Sequence, residues 1–390
     1  MEERIKKLIS FCRKIYAGET SKSIIEEYRA EIDTVRPTDL FLIMNEQLKQ
    51  GMSVQEMLVF VDKIVNVFAD ALVKAVWQRP KPDTFLGCLI AENAALIARL
   101  DSFKAVLKAR DDEALRAKTP DLLAFLAKYN AHLLKLENIL FPYMEKRLER
   151  FAGLKVMWAL HDEARLALKE ANALIIDNAK DNKVLIAMLG RLFFLYYGMV
   201  QKQELIMFPA ASQYIGAPDF LAMHLQSFDF DFPYIKRPNK PQVNIRGLLP
   251  DADESAFFKT ETGSLTLKQL DVMINTLPMD VTFVDKDDNV AFFSRPEERL
   301  FPRTAAVIGR NVRNCHPPKS VHVVEQILSA FKDGKEDKAD FWIKLNGLYA
   351  LIQYFALRDE DGAYVGTLEV SQEISSIKAI EGEKRLLDWE

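Results

Sequence analysis

The stretch Glu137-Asn-Ile-Leu-Phe141-Pro142 returns 67 residues later as Glu204-Leu-Ile-Met-Phe208-Pro209. Each copy closes a long helical pattern and sets one carboxylate a turn before a Phe-Pro pair. Two such helices can face each other in a bundle and aim their carboxylates at a common centre, which is how bundle cores build metal sites. Proline removes a backbone donor and clashes with the preceding turn, so each Phe-Pro pair is expected to kink or end its helix.

At 390 residues with 49% hydrophobic content, the chain has material for two or three domains with sizeable cores. A net charge of −4 leaves no bulk electrostatic footprint for nucleic acid. Cys12, Cys88 and Cys315 are scattered and odd in number, so they form neither a disulfide framework nor a zinc pattern. The start, Met-Glu-Glu-Arg-Ile-Lys-Lys, is not a signal peptide, and the apolar run Leu192 to Val200 is too short to span a bilayer. A cytoplasmic protein without membrane segments is expected.

Three regimes follow one another along the chain. Residues 1–78 read as a small domain of short amphipathic helices, with Thr38 and Ser53 as N-caps and a third helix from Val54 to Trp77. Residues 79–235 hold four longer helical patterns, broken at Lys118-Thr-Pro120, near Gly153 and at Asp177 to Asn182. Short loops between long helices imply a four-helix bundle. Residues 236–262, with Lys-Arg-Pro-Asn-Lys-Pro, read as a linker.

Period-two alternation then takes over in 263–390. Strands are expected at Val281–Asp285, Val290–Ser294, Asp340–Leu345, Tyr349–Leu357 and Tyr364–Ser371, with a helix from Pro318 to Phe331 after the second. Asn346-Gly347 and Asp361-Gly362 are hairpin signals. The result is a five-stranded antiparallel sheet, with Phe283, Phe293, Ile343, Ile352, Tyr354 and Leu368 as the inward residues of a ligand pocket. A charged amphipathic tail helix is expected from Ile374 to Leu387.

The segments Leu277-Pro-Met-Asp-Val-Thr-Phe-Val-Asp285, Ile308 to His322 and Gly366-Thr-Leu-Glu-Val-Ser-Gln-Glu-Ile374 resemble one subgroup of PAS domains. His132 to Met144 and Val156-Met-Trp-Ala-Leu-His-Asp-Glu163 are similar to the hemerythrin-like bundle that precedes this PAS type. The opening helices resemble the small domain that begins the same family. The resemblance implies a bundle holding non-heme iron with several histidines and bridging carboxylates, and a PAS module that binds a ligand and passes a signal through its tail to a partner or a second copy.

This chain departs from that pattern. Ile64, Thr84 and Gly87 lie near places where the family has histidines, and Gln203 stands where its motif has a glutamate. Residues 1–235 contain only His132, His161 and His224, too few to cage two irons. His132, Glu137, His161 and Glu204 remain as a remnant metal site, or as a buried polar cluster bonded to itself. His132 and Glu137 are five apart, so an α-helix turns them onto different faces.

In the sheet module, Cys315-His316-Pro-Pro-Lys-Ser-Val-His322 is the sharpest motif. In heme-binding PAS sensors a histidine on the corresponding helix ligates iron, which makes His322 and His316 heme candidates. However, Val324, Ile327, Leu328 and Phe331 form the apolar stripe of that helix, and His322 falls on its polar side. The expected function is therefore a sensory or regulatory protein that is not an enzyme. Its PAS domain would bind a small ligand, a protein partner or a second copy. The alternatives are an iron-dependent oxygen or nitric-oxide sensor or oxidoreductase using the bundle, and a heme PAS sensor.

Overall fold

The computed structural model describes residues 3–19, 22–109, 111–147, 151–176, 181–241, 257–345 and 347–385. Two compact units result, Met1–Pro241 and Gln242–Glu390.

The first unit is helical. α1 (Glu3–Tyr16), α2 (Lys22–Glu27), α3 (Arg29–Ile32), α4 (Pro37–Lys49) and α5 (Val54–Lys74) lead into α6 (Phe85–Ala109), α7 (Asp112–Lys128), α8 (Asn130–Lys135), α9 (Phe141–Arg147), α10 (Leu154–Ile176), α11 (Asn182–Lys202), α12 (Phe208–Tyr214) and α13 (Ala217–Gln226). Ser53 caps α5 through a reciprocal pair: its Oγ accepts the Glu56 N–H, and Glu56 Oε2 accepts the Ser53 N–H at 2.8 Å. Thr38 is not a cap. Pro37, with its fixed φ and missing donor, takes the first turn, and Asp39 accepts the Arg36 N–H.

One hydrophobic core joins the short helices to the bundle, from Leu8 and Phe11 on α1 and Phe60 and Phe68 on α5 to Leu122, Leu136, Leu160 and Leu192. A buried lysine, Lys202 at the end of α11, bonds Asp62 on α5 across the same junction. The core therefore runs unbroken past residue 78.

Neither Phe-Pro pair ends its helix. In both copies the chain passes through a wide π turn, Leu136–Leu140 and Gln203–Met207, and continues as α9 and α12. The Phe141 N–H reaches back five residues to the Leu136 carbonyl, and Phe208 does the same to Gln203. The wider turn accommodates one extra residue, so the chain shifts phase and absorbs the proline instead of breaking. Pro120 likewise lies inside α7. The helix starts at Asp111, whose side chain accepts the Ala114 N–H, and the expected break at Lys118-Thr-Pro120 does not occur.

Helical continuity through the second repeat also makes Asn182–Tyr214 long and apolar enough, by length and composition, to cross a membrane. Counting the uncharged run alone missed this. Its Leu185, Leu189, Leu192, Tyr196 and Met199 are buried in the bundle core.

In the second unit a hairpin of β1 (Phe257–Thr260) and β2 (Gly263–Thr266) leads into α14 (Leu267–Thr276). The hairpin starts within the expected linker, of which 242–256 lie outside the described residues. β3 (Asp280–Asp285), β4 (Val290–Phe293), β5 (Lys338–Leu345), β6 (Leu348–Arg358) and β7 (Tyr364–Glu373) form an antiparallel sheet in the order β4-β3-β7-β6-β5. α15 (Pro318–Lys332) follows β4. Asn346 of the expected β5–β6 turn is outside the described residues.

The expected tail helix is confined to α16 (Ser375–Lys378). Ile377 and Ile380 stay exposed, and Gly382 takes φ +68°, a left-handed conformation that stops a helix. Leu387 lies outside the described residues.

Candidate functional site

Two polar clusters lie inside the bundle. The first gathers on Glu92, which faces the core of α6 between Leu89 and Leu96 and is fully buried. One of its oxygens accepts from the buried ammonium of Lys135, and the other accepts His132 Nδ1–H at 2.8 Å. The Gln203 amide meets His132 Nε2 at 3.0 Å and the Tyr129 hydroxyl at 3.2 Å. Tyr129 has one proton and gives it to Asn93 Oδ1 at 2.6 Å. Gln203 Oε1 faces both groups as placed, but with the Tyr129 proton given to Asn93 and the His132 proton to Glu92 the amide satisfies them when turned so that its NH2 donates to both. Tyr129 also stacks on His132, with centroids 4.4 Å apart.

The cluster holds one negative and one positive charge. Burial pushes the His132 pKa down, more than Glu92 can restore, and it also lowers that of Lys135. A second cation on His132 would leave net charge in a dry core, which is costly.

The second cluster gathers on Glu137, in the first π turn. Its carboxylate accepts His161 Nδ1–H at 2.8 Å and the Arg165 guanidinium at 2.8 and 2.9 Å. Burial opposes the Glu137 charge, but the bonds from His161 and Arg165 outweigh it and hold the carboxyl below its usual range. Burial keeps His161 neutral, and its Nε2 is buried without a hydrogen-bond partner.

His132 and Glu137 thus serve separate clusters. Glu204 does not mirror Glu137. It is half-buried, and burial raises its pKa, offset in part by Asn93. In the second repeat the inward side chain is Gln203, one position earlier. Among the described residues, no three His, Cys, Asp or Glu side chains gather closely enough to hold a metal ion.

A pair of irons does not fit these residues. Each histidine spends its Nδ1–H on a carboxylate, and Lys135 and Arg165 already neutralise Glu92 and Glu137. Sequence reasoning missed Glu92, Lys135, Asn93, Tyr129 and Arg165. The available signal was a charge placed inside an apolar stripe, as in Leu133-Leu134-Lys135-Leu136.

The neutral imidazoles predict acid sensitivity. Burial lowers the pKa of His132, His161 and His224 from 6.5. On unfolding each regains its ordinary affinity for protons, so the unfolded state binds more of them and stability falls as pH drops from about 6.5 toward the lowered folded values. The denaturant midpoint of the helical unit, followed by far-ultraviolet circular dichroism, should hold from pH 8 to 7 and decline from 6.5 to 5. A flat midpoint would show that the imidazoles carry charge in the fold.

The interior of the five-stranded sheet module is more polar than expected. Register places Asp280, Thr282 and Val284 of β3 on the same face as Ser371, Glu369 and Thr367 of β7 and Ile352 and Tyr354 of β6. Phe293 and Ile343 share this face through Thr282 and Ala350. Phe283 and Leu368 pair with each other on the opposite face, so they do not line the interior. The alternation was read one residue out of phase on β3 and β7 because Thr282 and Glu369 look like solvent residues. Glu369 is instead buried against the Arg303 guanidinium, at 3.0 and 3.2 Å.

A cavity of about 30 Å³ lies beside this pair, lined by His316, Tyr354, Thr367 and Glu369 and by Val284, Val312, Val324, Ile327 and Leu328. That is room for about one water, whereas pockets for drug-sized ligands measure roughly 300–1,000 Å³. A porphyrin does not fit it. His322 is exposed on α15, while His316 borders the cavity and is held neutral by burial.

Residues 86–211 match the hemerythrin HHE cation binding domain, and residues 270–375 match a PAS domain. No curated protein matches the chain. Among solved structures, the chain is similar to the C-terminal domain of a protein from Streptococcus mutans, with 31% identity over 32% of this chain and 98% of that one and a TM-score of 0.31. It is also similar to the PAS domain of a protein from Colwellia psychrerythraea (18% identity, 28% and 98% covered, TM-score 0.24) and to the PAS domain from Bordetella pertussis BvgS (20% identity, 28% and 86% covered, TM-score 0.24).

Proposed function

From a chain that joins a hemerythrin HHE domain to a PAS domain, we infer a non-enzymatic cytoplasmic sensory protein whose bundle works without a di-iron centre. The PAS domain carries the sensing, through a small ligand or through a protein partner or second copy. The observation that carries this reading is the pairing of both buried bundle carboxylates with fixed protein cations: Glu92 with Lys135, and Glu137 with Arg165. A domain that relied on iron would leave those oxygens for the metal. Three free cysteines, two of them buried, fit a reducing compartment.

The test is elemental analysis with a visible spectrum on untagged protein. The expected result is well under one iron per chain, with neither an oxo-iron band nor a Soret band. Two irons per chain would overturn the reading in favour of an iron sensor or oxidoreductase. A Soret band lost in His316→Ala would favour a heme sensor.

A further inference from the structure

We propose that a groove at the end of the sheet module where β3 begins and β7 finishes binds an α-amino acid with an apolar side chain, its carboxylate on Arg299 and its ammonium on Asp280. This rests on the reading of the PAS domain as the sensing module and names the class of its ligand. The groove measures about 700 Å³, within the range of small-molecule sites. It shares no lining residue with the cavity beside His316. Leu277, Met279, Leu300, Leu348 and Ile377 supply apolar walls. Two charged side chains also line it, Asp280 at 5% exposed and Arg299 at 14%.

Asp280 Oδ2 accepts the Leu300 N–H at 2.9 Å and the Phe301 N–H at 3.4 Å. Arg299 gives Nε–H to the Phe301 carbonyl at 3.1 Å and an Nη1 proton to the Ser294 carbonyl. These bonds fix both groups and leave one atom of each unused. Asp280 Oδ1 and Arg299 Nη2 are buried and have no hydrogen-bond partner among the described residues. Arg299 Nε lies 3.7 Å from that same Oδ1, so the unused acceptor and the guanidinium are neighbours. A buried donor or acceptor left unpaired is costly, and two side by side call for a partner. Burial raises the Asp280 pKa and lowers that of Arg299 despite their mutual attraction. One molecule satisfies both if it brings an acceptor to Nη2 and a donor to Oδ1 from atoms close together. The carboxylate and ammonium of an α-amino acid do this, and as charged partners they make the stronger bonds. Glu297, Glu298 and Glu373 border the groove and disfavour a ligand of net negative charge. Asn275 and Thr276 of α14 and Ser376 and Ile377 of α16 also line it, so an occupied groove ties the helix that leads into the sheet to the one that follows it.

The experiment is isothermal titration of the full chain with L-leucine, L-methionine and L-phenylalanine. At least one should bind, and its N-acetylated form and its decarboxylated amine should each bind at least about tenfold more weakly. Asp280→Asn keeps an oxygen for the Leu300 N–H but turns the unused acceptor into a donor, and should abolish binding. Ile377 is 48% exposed, so Ile377→Trp narrows the groove without disturbing a core and should also abolish it. Amide exchange should slow at 275–280, 296–300 and 372–377 in the bound chain, with α6 to α12 unchanged. Should Asp280→Asn fail to fold, Ile377→Trp and the two analogues decide. The proposal is overturned if none of the three amino acids binds at about 10 mM, tenfold above the Kd of a weak site. It is equally overturned if either analogue binds as well as its parent, or if binding survives undiminished in a folded variant. Sensing through a protein partner or second copy would then stand, whereas iron in the unaltered chain would sink the metal-free reading of the bundle and leave this groove untouched.

Discussion

Glu92→Leu is expected to destabilise the helical unit by about 3–5 kcal/mol, because it strands a buried cation. Lys135 is 1% exposed, and its ammonium depends on Glu92 for a counter-charge. With the carboxylate gone, the side chain must hold an uncompensated charge or give up its proton. The pH dependence separates this from simple loss of packing. Burial already lowers the Lys135 pKa, and Glu92 is the main influence opposing it. In the variant the folded pKa falls further below 10.5, while the unfolded value stays. The unfolded state then binds the extra proton across that window, so the variant should regain stability as pH rises from neutrality toward 10. Glu92→Leu/Lys135→Met should recover most of the loss at pH 7. Urea titrations by circular dichroism at pH 7 and 9 decide the matter. A single variant no less stable than the double one would show that Lys135 finds another partner.

Arg303→Leu should have an effect of similar size in the other unit, about 3–5 kcal/mol. Its guanidinium grips Glu369 with two contacts, and both side chains are nearly buried, at 12% and 10% exposed. Ser371 Oγ adds a longer bond to the same carboxylate at 3.4 Å. Removing the arginine leaves that carboxylate beside an apolar cavity wall. Amide hydrogen exchange by mass spectrometry should show lost protection across β6 and β7, with α6 to α12 unchanged. Restoring a neutral pair with Glu369→Met should rescue it. Unchanged protection of β7 in the single variant would mean that the pair contributes little to the sheet.

The architecture was readable from periodicity. The strands of the five-stranded sheet fall within two residues of their expected limits, because one-faced sheets alternate and the flanking turn residues are distinctive, whereas the β1–β2 hairpin was not foreseen. The interior was harder to see. Glu92, Lys135 and Glu369 are charged, and a charge in an apolar stripe is discounted unless its partner is known. Those partners lie 43 residues away for Lys135 and 66 for Glu369, beyond any local pattern. Glu204 misled for a related reason: equality of sequence between the repeats did not carry equality of burial. The tail failed because helical spacing alone, without a surface to pack on, does not hold a helix together.

The two π turns lie where the side chains of both clusters are handed between neighbours. Each carries one surplus residue, so the helix beyond it is indexed differently from the helix before it. Upstream of the first, His132 and Lys135 address α6; within it, Glu137 addresses α10. Deleting a single residue from Leu136–Leu140 would remove the surplus and close the turn to ordinary α geometry, and Glu137 would lose the wide turn that now aims it at the imidazole it orients.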